Sequence, residues 1–328
     1  MTTYLAFNEL EGVTSVSSSS NVLPTTSSTV VLAGVNRAGI QCRGLASFRA
    51  NFTPISEGWL HIRVDGRSTS GVSGPAASLI REVTSEPIFE IRQQVANSNF
   101  YVRVPSDDLE DNLIAGPGTH NFDVNFKIAE AGFVKVFVSG SLVYNFSGDT
   151  RFVSGDQTVG ELFCASTSSG VGLTNSNFFS NILISSEPTF GAKVYTLPLE
   201  LGTQTDWLGT FTDVNGSGLD DETFIEANTN GDLNLMGKSA MPVIDSREKI
   251  SSVVLSARGL YREDSPVTKI NLVLDDGVTQ TEFDTASSLS FSFTPNSFIA
   301  NQNFLGATDV DWEVSDLNGM QIGLIART

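Results

Sequence analysis

The chain has 328 residues, with 19 Lys and Arg against 37 Asp and Glu, for a formal net charge of −18 and an isoelectric point near 4.4. Such a surface repels nucleic-acid phosphates and anionic membranes, which argues against duplex binding through a basic face. Length alone predicts about two domains, long enough to bury proper cores without disulfides or metals.

Only 17% of residues are charged, below the usual quarter or so, and Ser, Thr, Asn and Gln supply the remaining polarity. The 29 Gly and 11 Pro, with 22 Phe against 5 Tyr and 3 Trp, describe strands and turns better than helices. The expected fold class is all-β. Two cysteines, Cys42 and Cys164, cannot build a disulfide framework or a zinc cage. They could form one bridge or remain two buried thiols, and the second fits a free cysteine's behaviour as a small apolar residue. Met1-Thr2-Thr3-Tyr4-Leu5 lacks the basic and apolar regions of a signal peptide, and no run approaches the length needed to span a bilayer. Synthesis in a cytoplasm without membrane insertion is the expectation.

Thr14 to Thr29 is mostly Ser and Thr, a long loop or part of an edge strand. Alternation then begins, the mark of half-buried strands. Leu60, Ile62 and Val64 share one face, as do Phe89 and Ile91, then Phe100, Val102 and Val104, then Phe122, Val124, Phe126 and Ile128. Val134, Val136 and Val138 lead into Ser139-Gly140-Ser141, and Leu142, Tyr144 and Phe146 return, which predicts a hairpin. Phe178 to Ile184 is nearly continuous in apolar residues, which predicts a strand covered on both faces. Pro188 and Gly191 punctuate the chain, and a domain boundary is expected near residues 188–196.

Beyond it, Val253, Leu255 and Ala257 alternate, then Ile270, Leu272 and Leu274 up to an Asp275-Asp276-Gly277 turn, then Leu289, Phe291 and Phe293. The chain closes on Trp312-Glu313-Val314 and Gln321-Ile322-Gly323-Leu324-Ile325, and the best short-helix candidate lies near Asp220–Ala227. Short strands at even spacing predict a jelly-roll-like β-sandwich in each half, residues 1–190 and residues 195–328.

Three stretches of the first half carry a resemblance: His120 to Phe126, Gly132 to Val143, and Phe179 to Ile184. Together they resemble the concanavalin-like or laminin-G-like jelly roll, a fold that carries lectins, enzymes and scaffolds alike. In the second half the pieces are Trp207-Leu208-Gly209, the acidic loop Asp220 to Ile225, Ile250 to Arg258, Lys269 to Gly277, and Trp312 to Leu324. These look like a domain of tailed-bacteriophage virion proteins, and the run from the tryptophan to Gln321-Ile322-Gly323-Leu324 is the most telling. The resemblance implies a structural component of the virion, tail- or fibre-associated or decorating the capsid, made in the host cytoplasm. Its expected partners are other virion proteins and copies of itself, with a homotrimer as the default. The alternative is a lectin-like module contacting host surface glycan.

Catalysis is not expected. His61 and His120 are the only histidines, each in an apparent strand, and no Gly-x-Ser-x-Gly elbow occurs. The acid clusters Asp107-Asp108-Glu110-Asp111, Asp220-Asp221-Glu222 and Asp275-Asp276 fall in apparent loops rather than as paired carboxylates on a strand face. No cofactor is implied. One cation site is conceivable: Asp213, Asn215, Ser217 and Asp221 place oxygens as in a calcium loop, but Phe224 stands where the bidentate Glu belongs. A solvated acidic turn explains the same residues. Trp59, Trp207 and Trp312 could line a sugar site, but a large aromatic in a strand more often fills a sandwich core. Core filling is the expectation for all three.

Overall fold

The computed structural model describes the chain apart from residues 1–2, 8–12, 14, 18–21, 26–30, 33–34, 37–38, 67–72, 82–83, 95, 106–111, 154, 156, 168–175, 196, 198, 210–223, 239–248, 258–264, 285–297 and 303–311. The chain divides into two compact units, Thr2–Tyr195 and Thr196–Thr328. Both are built from antiparallel sheets, and the chain is all-β in class.

The first unit opens with β1 (Thr3–Phe7), β2 (Ser15–Val16), β3 (Val22–Thr25), β4 (Val31–Leu32), β5 (Val35–Asn36) and β6 (Gly39–Arg43). It continues with β7 (Ser47–Ile55), β8 (Glu57–Gly66), β9 (Gly74–Ile80), β10 (Pro87–Gln93), β11 (Phe100–Arg103) and β12 (Asn112–Ala115). The last strands are β13 (Gly118–Lys127), β14 (Gly132–Val138), β15 (Ser141–Gly148), β16 (Val159–Ala165) and β17 (Ser176–Ser185). Two sheets form a sandwich. One runs β15-β14-β13-β8-β17-β6-β3, with β1 also paired to β17; the other runs β12-β11-β10-β9-β16-β7-β2. β4 and β5 pair as a separate ribbon.

The period-2 pattern sorts these strands as expected. Leu60, Ile62, Val64, Phe122, Val124, Phe126, Val134 and Val136 are fully buried, as are Phe89, Ile91, Phe100 and Val102 on the facing sheet. Phe48 meets Phe179 edge-on at 5.5 Å, and Phe100 meets Phe122 at 5.3 Å. Each such ring contributes about 1.5–3 kcal/mol by leaving water. Every residue of β17 is buried, as its continuous apolar run implied. Cys42 and Cys164 are free, buried thiols. Burial pushes both thiols' pKa up, so both stay protonated.

The β14–β15 hairpin forms, turning through Ser139 and Gly140, both at positive φ (49° and 84°) as a tight turn between twisted strands requires. Its register departs from plain alternation. Val136 pairs with Tyr144 but Phe137 pairs with Leu142, so Val143 is an extra residue. This bulge sets Leu142 opposite Phe137, on the face away from the sandwich interior, where it is 52% exposed.

The second unit contains β18 (Leu199–Thr205), β19 (Leu233–Lys238), β20 (Val253–Ala257), β21 (Lys269–Asp275), β22 (Gln280–Phe283), β23 (Phe298–Gln302), helix α1 (Val314–Asn318) and β24 (Gln321–Arg327). Five strands form a sheet in the order β18-β19-β24-β21-β22, and β20 pairs with β23 as a ribbon. The expected turn at Asp275-Asp276-Gly277 closes the β21–β22 hairpin. The Asp276 carboxylate accepts from the Val278 and Thr279 amides, and Gly277 takes φ 84°. Trp207, Ile270, Leu272, Leu274, Trp312, Leu317 and Met320 form one core cluster; Leu233, Leu235, Val273 and Ile325 form another. The one described helix is at Val314–Asn318. Residues 224–227 are not helical, and 220–223 lie outside the described residues, as do the expected Leu289–Phe293 alternation and the Asp107–Asp111 cluster.

Candidate functional site

The outer face of the first unit's larger sheet gathers the residues of most chemical interest. On β8 the residues between the core positions are Trp59, His61 and Arg63; on β13 they are Asn121, Asp123 and Asn125; on β14 they are Lys135 and Phe137. The ladder sets His61 opposite Asp123, and Asp123 opposite Phe137. After β17 the chain does not leave this face. Residues 186–195 turn back across it as a strap.

Thr189, Val194 and Phe190 anchor the strap. Thr189 donates its hydroxyl to Asp123 Oδ1 at 2.8 Å, and His61 Nδ1 lies 2.7 Å from the same oxygen. The Val194 amide donates to Asn181 Oδ1 at 3.3 Å, from a β-bulge where Asn181 takes φ 51°. Phe190 packs edge-on against Trp59 at 5.1 Å and Phe137 at 4.8 Å, while Trp59 and Phe137 stack at 5.8 Å. His61, Asp123 and Thr189 are each only 2% exposed. The Asp123 carboxylate is therefore shielded from water and satisfied by two donors, which is the condition for burying such a group without severe cost. His61 Nε2 is buried and has no hydrogen-bond partner among the described residues.

Above this polar floor the aromatic cluster is open to solvent at Phe190, while Trp59 and Phe137 are half-buried. Phe190 is 46% exposed, and Leu142 lies opposite Phe137 in the ladder. Trp59 thus belongs to a surface cluster rather than to the sandwich core, in contrast to the expectation from its strand position. The core-facing positions of β8 are already filled by Leu60, Ile62 and Val64. Trp207 and Trp312 do fill the second unit's core, at 7% and 4% exposure. His120 is outside the strap network: its Nε2 lies 2.9 Å from the Gly116 carbonyl, and its ring meets Phe100 edge-on.

A groove of about 620 Å³ is lined by Asp149, Arg151, Phe152, Val153, Gly155 and Gln157. Its arginine is already engaged: Arg151 donates to Asp149 from Nε at 3.0 Å and from Nη2 at 2.7 Å, with Glu130 at 3.5 Å. That hydrogen bonding holds the Asp149 carboxyl down to about 2. The calcium candidates Asp213, Asn215, Ser217 and Asp221 lie outside the described residues. Among the described residues no cluster of three His, Cys, Asp or Glu side chains could hold a metal ion, and no helix is long and apolar enough to cross a membrane.

No protein-family model matches the sequence, and no curated protein matches it. Several solved structures are similar in fold. An endo-β-1,4-glucuronan lyase from Trichoderma reesei is 13% identical, with 57% of this chain and 96% of that chain covered and a TM-score of 0.42. The T. cruzi calreticulin globular domain is 12% identical, covering 57% and 89%, with a TM-score of 0.40. The alginate lyase Aly36B is 12% identical, covering 58% and 98%, with a TM-score of 0.35. At such identities the likeness is one of fold and brings no residue role or substrate with it. It does correct one expectation. Polysaccharide lyases stand among the similar structures, so the exclusion of enzymatic activity, drawn from the missing triad and paired carboxylates, is withdrawn.

Proposed function

We propose that the chain is a structural component of a bacteriophage virion, tail- or fibre-associated or decorating the capsid, docking on other virion proteins and on copies of itself. The observation that carries this reading is the build of the segment with the most telling resemblance. Trp312 is buried and bridges to Ile250; α1 follows, with the Asp316 carboxylate accepting from the Glu313 amide at 2.8 Å; and β24 then runs between β19 and β21 in the sheet. The residues from Trp312 to Leu324 are thus framework residues of the second unit, as a domain shared with virion proteins would require. A surface rich in Ser, Thr and Asn supports the reading further, because desolvating few charges lowers the cost of an interface. The test is mass spectrometry of density-purified phage particles from the source host. Recovery of the chain at a fixed ratio to the major capsid protein is expected, and its absence from particles that retain tails and heads would overturn the proposal.

A second reading, contact with host surface glycan, is favoured by the exposed Phe190 and the half-buried Trp59 and Phe137 against which it packs. Aromatic faces beside polar groups suit the apolar face of a pyranose. Glycan-array binding that disappears in Phe190→Ala would support it, and no binding by the intact chain would remove it.

A further inference from the structure

The strands of the first unit's other sheet, β12-β11-β10-β9-β16-β7-β2, carry charge only on the face turned away from the sandwich interior. The charged residues are Arg49 on β7, Glu90 and Arg92 on β10, Arg103 on β11 and Glu161 on β16. They alternate with core positions such as Phe48, Ile91, Val102 and Leu162. Three arginines against two glutamates make this face net positive, in a chain whose formal charge is −18.

The ladders set these residues in one row. Arg49 pairs with Phe163, Phe163 with Ser78, Ser78 with Glu90, and Glu90 with Arg103. Beside that row Arg92 pairs with Tyr101. Strands about 4.8 Å apart place the two end arginines about 19 Å from each other. Side chains are long at both ends, and the row dips at the small, buried Ser78. Arg49, Glu90, Arg92, Tyr101, Arg103 and Phe163 are each half-buried, as the walls of a trough are. A cavity of about 110 Å³ lies at the β10–β11 end, lined by Ser73, Arg92, Gln93, Gln94 and Tyr101. It is well below a pocket for a whole ligand but has room for one carboxylate group. Arg49 donates to Glu161 and sits over the Phe163 ring at 5.3 Å, and Arg92 Nη1 donates to Glu90 at 2.9 Å. Arg103 differs. It stands opposite Glu90, yet its Nε is buried with no hydrogen-bond partner among the described residues.

We infer that this face is a binding trough for a carboxylate-bearing polysaccharide. Charge complementarity selects an anionic occupant, and the guanidinium fork, with Arg103 uncommitted, matches a carboxylate in two parallel hydrogen bonds. Tyr101 supplies a ring for the apolar face of a pyranose and a hydroxyl for its edge. Glu90 and Glu161 select against other polyanions. Duplex DNA carries a charge about every 1.7 Å, and two carboxylates within the row repel so dense a chain. A sugar acid spaces its carboxylates with hydroxyls, and a glutamate accepts hydrogen bonds from those hydroxyls. An acidic peptide brings the carboxylates without the hydroxyls. The trough lies on the opposite side of the sandwich from Phe190, so it is separate from the aromatic cluster, and it holds or fails independently of the virion reading.

The test is calorimetric titration of the full-length chain with oligomers of galacturonic acid, of hyaluronan and of sialic acid. Neutral galactose oligomers, oligoglutamate and single-stranded DNA serve as comparisons. Binding to at least one acidic sugar is expected, weakening as salt rises from about 0.05 to about 0.5 M, with the comparisons at least about tenfold weaker. Arg103→Gln, which breaks no ion pair of the described residues, should keep the thermal unfolding of the wild type and raise the dissociation constant about tenfold or more. Arg92→Gln, beside the small cavity, should act in the same direction. Phe190→Ala should leave acidic-sugar binding unchanged. Absence of binding to all three acidic sugars overturns the inference. Equal affinity for oligoglutamate or DNA does so too, as does binding that survives both arginine variants or that is lost in Phe190→Ala.

Discussion

His61 Nδ1 and Asp123 Oδ1 lie 2.7 Å apart across adjacent strands, both side chains 2% exposed, and Thr189 from the strap donates to the same oxygen. The pair therefore fastens residues 186–195 to the outer face of the sheet. Removing one donor differs from removing the acceptor. Thr189→Val leaves Asp123 bonded to His61 and is expected to cost about 1–2 kcal/mol. Asp123→Ala orphans both donors in a buried site and should cost about 3 kcal/mol or more. Urea denaturation of the two variants checks the order, and limited proteolysis within residues 186–195 should speed up in both.

The thiols make a sharper test of the core. Cys42 and Cys164 are both fully buried, and desolvation raises their pKa, so neither forms a reactive thiolate near neutral pH. A thiol-disulfide reagent should find no reactive cysteine in the native chain and two after unfolding, with or without prior reductant. Rapid native labelling would contradict the packing of the sandwich interior.

Acid should weaken the second unit through Glu282. Its carboxyl is held below the usual range, first by the side-chain hydrogen bond from Arg327 and then by Asn271, which donates to Oε1 at 2.6 Å. A depressed carboxylate pKa adds stability above its unfolded value of about 4.3, lost as pH falls through the folded value. The stability gap between wild type and Glu282→Gln is therefore expected to be full at pH 6 and to close progressively below about pH 4. Equal gaps at both pH values would sink this assignment.

Phe190 reports on the surface cluster. At 46% exposed, its truncation to Ala should cost about 1 kcal/mol, well under the 3–5 kcal/mol typical of a core aromatic. Because Phe190 covers Trp59 while Trp207 and Trp312 stay buried, the tryptophan emission should shift to the red in Phe190→Ala. Trp59→Phe should abolish that shift.

Much of the strand layout was legible along the chain. The alternations at Leu60–Val64 and Phe122–Phe126 and the Asp276-Gly277 turn all predicted what forms, because side-chain period and turn chemistry are local. The bulge at Val143 was not legible. Leu142, Tyr144 and Phe146 alternate perfectly in sequence, yet one extra residue turns Leu142 to the other face. The strap network was equally hidden. His61 looked like an ordinary residue between Leu60 and Ile62, and nothing near it in sequence announced Asp123, 62 positions away, or Thr189, a further 66. Trp59 shows the same limit, since alternation says that it points opposite Leu60 but not what it will meet there.

Amino-acid order therefore settled the β character, the core-facing side of most strands and the tight turns, all consequences of spacing between near neighbours. Folding in three dimensions settled the rest. A strap lies against a sheet, a carboxylate is buried with its donors, and one strand stands at a sheet's end, only because pairing brings distant segments together. Those relations depend on which strands become neighbours, and the period of a single strand carries no information about its neighbours' identity.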